Sequence, residues 1–141
     1  MHRDRLKSDA VAEYDPYIAH RLSGGQNISA ADYINMLATR EKIWADVQVM
    51  TQHFDALILP TSPILPPALR TLDTIEAKTA TNASCLRNTS LSNYLDRPTI
   101  TLPCHSLGTA PVGISLMGPR LHDRHLLAIA SGVEKVINTA R

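Results

Sequence analysis

The chain has 141 residues, room for one domain with a core and too few for two ordinary ones. Hydrophobic residues make up 44%, which excludes wholesale disorder. Fourteen basic against 13 acidic residues leave a net charge of +1, without the positive excess that a dedicated nucleic-acid binder uses to neutralise phosphates.

Residues 1–13 form a polar lead of mixed charge with no apolar stretch, so no secretory signal is expected there. Asp15 followed by Pro16 predicts a helix start, because Asp caps free amides and Pro at the first helical position gives up no paired one. Gly24 and Gly25 are expected to stop that helix in the left-handed conformation. Ser29 with Asp32 opens a second helix, over about residues 30–53. Along it Tyr33, Met36, Leu37, Ile43, Trp44, Val47, Met50 and Phe54 recur at helical spacing, predicting one apolar stripe against a core.

The period then changes. Residues 54–59 make a short apolar run ending at Pro60, the pattern of a buried strand. Pro60, Pro63, Pro66 and Pro67 hold the next segment extended. Residues 68–84, polar and rich in Thr and Ala, are expected to be a surface excursion with one helical turn. Residues 99–102 and 113–117 are strand-like and flank a loop containing Gly108, as neighbouring strands of one sheet would. Asp123 is expected to cap a last helix carrying Leu126, Leu127, Ala130, Val133, Val136 and Ile137 on one stripe. The order describes an α/β or α+β layer with a narrow sheet, part of a larger fold.

Self-contained chemistry is hard to find in this inventory. The segment Gly113-Ile114-Ser115-Leu116-Met117 fails the nucleophile-elbow pattern at its fifth position. None of Lys7, Lys42, Lys78 and Lys135 has a serine three residues before it. Cys104 and His105 are adjacent, and neighbours on a strand point to opposite sides, which argues against a thiol and its base. Cys85 and Cys104 read as small buried apolar groups, although one bridge between them stays open. His122 and His125 lack a convincing third ligand and read as solvated, so no metal site is expected. Asp96, in a loop entering a strand, reads as a structural residue hydrogen-bonding loop amides or facing a cleft.

Three segments in order carry a resemblance. Asp55, the apolar residues 56–59 and Pro60-Thr61-Ser62-Pro63 come first; Arg87-Asn88-Thr89 through Asn93, Pro98 and Leu102-Pro103-Cys104 follow; Pro111-Val112-Gly113 and the strand to Gly118 close the set. In order and spacing, residues 14–137 resemble the C-terminal portion of amidase signature family enzymes. The resemblance implies an α/β fold, a partial mixed sheet of that family's type with covering helices. It implies an amide-bond hydrolase whose Ser–Ser–Lys triad lies in the N-terminal portion, so no catalytic residue is carried over onto this chain. Thr89, Asn93 and Asp96 are its candidate substrate-binding residues. Asp96 stands where the family often has Gly, and Leu86 stands where tRNA-dependent transfer enzymes tend to have an acid, which leans away from that branch.

The expectation is therefore a C-terminal amidase segment, residues 1–141, supplying sheet, helices and part of a substrate pocket, catalytically silent alone. A non-catalytic binding or assembly module, or a remnant of the A subunit of a tRNA-dependent amidotransferase, is the alternative. A small-molecule amide is the expected partner once an N-terminal portion completes the fold. No cofactor, nucleic acid or membrane is expected, self-association through exposed surface stays open, and the location is cytoplasmic.

Overall fold

Two compact units, Met1–Glu41 and Lys42–Arg141, divide the chain. They are seen in a computed structural model that describes His2 and residues 4–139; Met1, Arg3 and residues 140–141 lie outside the described residues.

In the first unit the polar lead winds into two 3-10 turns, Arg5–Lys7 and Asp9–Glu13. Helix α1 (Pro16–Ser23) starts as its sequence predicts, with the Asp15 carboxylate accepting from Tyr17 N–H at 2.9 Å and Ile18 N–H at 3.3 Å. Its end differs from expectation. Gly24 is right-handed, with φ −56°, and continues into a 3-10 turn at Gly24–Asn27, so the helical sense tightens instead of reversing. Helix α2 (Ala30–Thr51) begins at a reciprocal cap: Asp32 N–H donates to Ser29 Oγ at 3.1 Å, and Ser29 N–H donates to Asp32 Oδ2 at 3.2 Å. The Ser29 hydroxyl, followed by its amide, holds the Asp32 carboxyl below the usual carboxylate range.

The predicted stripe on α2 is not a buried one. Trp44 and Val47 are partly covered, but Tyr33, Met36, Leu37, Ile43 and Met50 are exposed, Met50 at 75%. The helical period is present; the surface it was expected to pack against is not among the described residues.

The second unit is organised by three strands, β1 (Leu57–Pro60), β2 (Thr99–Pro103) and β3 (Gly113–Met117), in spatial order β1-β3-β2. Both pairings are antiparallel; Leu116 faces Ile58 on one side and Ile100 on the other. Side chains alternate across the sheet. One face carries Ile100, Leu102, Ile114 and Leu116, which pack on helix α4 (Asp123–Thr139) through Leu126, Ile129, Ala130, Val133 and Ile137. Leu127 and Val136, placed on that stripe by spacing, are exposed instead. Asp123 is the first helical residue rather than the one flanking it, and its charge favours the helix N-terminus.

The largest departure is helix α3 (Ile75–Tyr94), where a surface excursion is expected up to residue 84. Thr74 caps it by accepting from Ala77 N–H at 3.1 Å. Thr79 and Ser84 return their hydroxyls to the carbonyls four residues back, so the polar side chains are absorbed by the helix itself. The helix ends on Asp96, a non-glycine residue at φ 51°. Asp96 N–H donates to Asn93 O at 3.4 Å and Arg97 N–H to Ser92 O at 3.1 Å, the bond pattern of a left-handed C-terminal cap.

Candidate functional site

The sheet face opposite α4 carries the site. Thr101 and Ser115 are partners in the β2–β3 register, and Thr61 follows directly on β1, its N–H donating to Gly113 O at 2.9 Å. Three hydroxyls from three segments therefore meet: Thr61 Oγ1 and Ser115 Oγ at 2.8 Å, Thr101 Oγ1 and Ser115 Oγ at 3.1 Å, and Thr61 Oγ1 to Thr101 Oγ1 at 3.3 Å. Ser115 is 2% exposed, and a buried hydroxyl is costly unless bonded; two neighbours satisfy it.

Beside this triangle opens a hollow of about 400 Å³, walled by Pro63, Ile64, Leu65, Pro103, Pro111 and Val112 and entered by Thr61, Ser62, Thr101 and His105. Gly113 also lines it. A Cβ there would lie 2.8 Å from Thr101 Cγ2 and 3.1 Å from Thr61 Oγ1, so no larger residue fits without displacing the hydroxyls. Helix α3 is tied to the same region by Asn88 Nδ2, which donates to Pro60 O at 2.7 Å.

Cys104 and His105 lie just past β2, where strand alternation lapses. Rather than pointing apart, both bond one carbonyl, Val112 O, through Cys104 N–H at 2.9 Å, Cys104 Sγ at 3.6 Å and His105 Nδ1 at 3.2 Å. They do not bond each other. Cys85 and Cys104 are free thiols.

The cluster can hold a ligand but is not equipped to attack one. A nucleophilic hydroxyl needs a base within hydrogen-bond reach, and the hydrogen-bond partners of Ser115 are two more hydroxyls. Among the described residues no group of three metal-ligating side chains occurs. His125 Nε2 lies 3.5 Å from Asp55 Oδ1, and its ring meets His122 edge-on at 6.5 Å. No described helix is long and apolar enough to cross a membrane.

The residues singled out from sequence sit together on the last turns of α3 and its cap. Thr89 and Asn93 are one helical turn apart, and Thr89 Oγ1 donates to Leu86 O at 3.2 Å. None of Thr89, Asn93 and Asp96 lines the hollow between Pro63 and Gly113. Asp96 lies 3.9 Å from Arg120, whose guanidinium also covers the Trp44 ring at 5.5 Å. Next to it Arg97 is buried; its Nη2 donates to Thr51 Oγ1 at 2.6 Å and Gln48 Oε1 at 3.4 Å, while Nε has no partner among the described residues. Burial pulls the pKa of this guanidinium down. The hydroxyl triangle escapes sequence reasoning because its register across three strands is a tertiary fact. Thr61 within the Pro-Thr-Ser-Pro segment is the one visible signal.

Comparison with known proteins adds family to geometry. Residues 3–127 match the family model described as Amidase. The chain is 30% identical over 128 residues to 2-amino-5-chloromuconic acid deaminase of Comamonas testosteroni, covering 90% of this chain and 28% of that protein. Indoleacetamide hydrolase of Pseudomonas syringae pv. syringae is 34% identical, over 85% of this chain and 26% of that protein. The glutamyl-tRNA(Gln) amidotransferase A subunit of Sulfurisphaera tokodaii is 34% identical, over 75% of this chain and 22% of its own length. A crystal structure of an amidase superposes with a TM-score of 0.79 at 25% identity, over 95% of this chain and 31% of the other. The chain thus spans about a quarter of the length of the curated relatives it matches.

Proposed function

The chain belongs to the amidase family, and we propose that it is the C-terminal segment of an amide-bond hydrolase, building one wall of the substrate pocket while the Ser–Ser–Lys apparatus lies in the part of the fold it does not span. The observation that carries this reading is the coverage: 90% of this chain matches a relative of which it accounts for 28%. The surface supports it. Strands β1 and β2 each have an outer edge without a strand partner among the described residues, and Met50, Phe54, Ile58, Leu65, Leu69 and Leu121 are all exposed. Open edges beside apolar side chains are where further layers of a sheet dock. The substrate is a small-molecule amide met in the cytoplasm. Thr89, Asn93 and Asp96 belong to the pocket wall once the fold is complete.

The test is replacement. In the Pseudomonas syringae indoleacetamide hydrolase the matching segment is replaced by residues 14–137 of this chain, and ammonia release from indoleacetamide is followed. Turnover above the blank is expected. A folded, soluble chimera without turnover refutes the reading. The 34% identity to the Sulfurisphaera tokodaii amidotransferase supports a second reading, as a segment of such a transfer enzyme; glutamine as the better amide donor for the matching chimera would favour it.

A further inference from the structure

The end of the β2–β3 ladder remote from the hollow carries a positive charge without its counterpart. Arg97 stands two residues before Thr99, the partner of Met117, whereas the hollow lies at the Pro103–Gly113 pairing, about 13 Å further along the strands. The Arg97 residue is 8% exposed, yet no carboxylate among the described residues pairs with it. Nη2 donates only to the neutral oxygens of Thr51 and Gln48, the second at a long 3.4 Å, and Nε is buried and unbonded. Nη1 is unbonded too, but it is not sealed from solvent. A buried cation is costly unless it is paired, and neutral oxygens offset only part of that cost.

A second unmet donor lies on the helix face that Arg97 touches. Trp44, Gln48 and Thr51 are spaced four and three residues apart on α2, which puts them on one face. Trp44 Nε1 is buried without a partner, and Arg120 covers the ring. Arg120 reaches Asp96 only at 3.9 Å, beyond hydrogen-bond length. The groups linked in this way are two guanidiniums and one carboxylate, so one positive charge is left over. We propose that this end of the sheet binds a carboxylate, received at Arg97 Nη1 and attracted by Arg120. A carboxylate brings acceptor oxygens for the N–H donors and one negative charge for the one in excess; a neutral amide leaves that charge unpaired. The carboxylate belongs to a free acid or to an acidic side chain of a further protein segment, and the recognition is the same. Neither the amidase reading nor the hollow enters this inference.

Trp44 is the only tryptophan, so its indole N–H gives a single signal in the full 141-residue chain labelled with nitrogen-15. That signal and the Arg97 Nε–H are followed while sodium propionate is added, with propionamide and sodium chloride of equal concentration as controls. Propionate is expected to move both signals to saturation, and neither control is expected to do so. Arg97→Lys, which keeps the charge but loses the planar fork, is expected to weaken propionate roughly tenfold or more, and Arg120→Gln by a smaller factor. A propionate response equal to either control, or an unchanged affinity in Arg97→Lys, overturns the proposal. If Arg97→Lys loses the dispersed spectrum of a folded chain, the three-probe comparison on the unaltered chain decides. A capped pentapeptide of four alanines around a central glutamate separates the two sources. Binding as tight as propionate assigns the site to an acidic side chain, and clearly weaker binding assigns it to a free acid; either supports a carboxylate site.

Discussion

Replacing Asp96 by glycine is expected to stabilise the chain, against the habit of glycine substitutions. Asp96 occupies the left-handed residue that terminates α3, with φ 51° and the Asn93 and Ser92 carbonyls satisfied by the turn it makes. A side chain in that conformation costs roughly 1–2 kcal/mol, eased for Asp by local hydrogen bonding. Glycine removes the strain but loses about 0.4–1 kcal/mol through the freer unfolded chain. The pairing with Arg120, at 3.9 Å with both side chains about half exposed, contributes a few tenths of a kcal/mol. The balance favours Asp96→Gly by about 0.5 kcal/mol, whereas Asp96→Ala keeps the strain, loses the carboxylate and is worse by a similar amount. A gap of about 1 kcal/mol between the two variants moves a urea midpoint by ~0.5 M for a slope near 2 kcal/mol/M. Urea unfolding followed by far-ultraviolet circular dichroism reads it directly. An Asp96→Gly midpoint at or below that of Asp96→Ala refutes the reasoning. The same geometry explains why glycine suits this position in the family the sequence resembles.

Leu116→Ala, at a side chain 1% exposed in the central strand against α4, should cost about 2–5 kcal/mol, seen as a lowered denaturation midpoint. Gly113→Ala should cost roughly 1–3 kcal/mol by the same measurement, because the new methyl lands 2.8 Å from Thr101 Cγ2; Gly24→Ala, with open space around its Cβ, should cost nothing comparable. The cap at Asp32 predicts a pH dependence. Its folded carboxyl is held below the usual range by Ser29, so the unfolded chain binds that proton more readily. The cap's contribution is complete above the unfolded value of about 3.9 and drains away as pH falls through the lower folded value. In Ser29→Ala the Asp32 titration, followed by nuclear magnetic resonance, should move up toward that unfolded value.

Local chemistry is legible wherever a signal and its effect lie within one turn of chain. Asp15-Pro16 and Ser29 with Asp32 start helices where they stand, and residues 113–117 form the strand their pattern describes. Signals that depend on what faces them are not legible. The α2 stripe has the right period but exposes Met36 and Met50, because period fixes a face and not its partner. Helix α3 shows no apolar stripe, and its Thr, Ser and Asn residues resemble a loop until Thr79, Ser84, Thr89 and Ser92 are seen bonding within the helix and Asn88 to β1. The site divides the same way. Thr61 lies in a recognisable segment, but its meeting with Thr101 and Ser115 follows from strand order β1-β3-β2, which no local pattern encodes.

Ammonia release by the purified chain alone, on simple amides such as indoleacetamide, tests most directly whether the reacting groups lie elsewhere. The account predicts a rate indistinguishable from the blank. Turnover that disappears in Ser115→Ala or Cys104→Ala would place the attacking group within these 141 residues and contradict it.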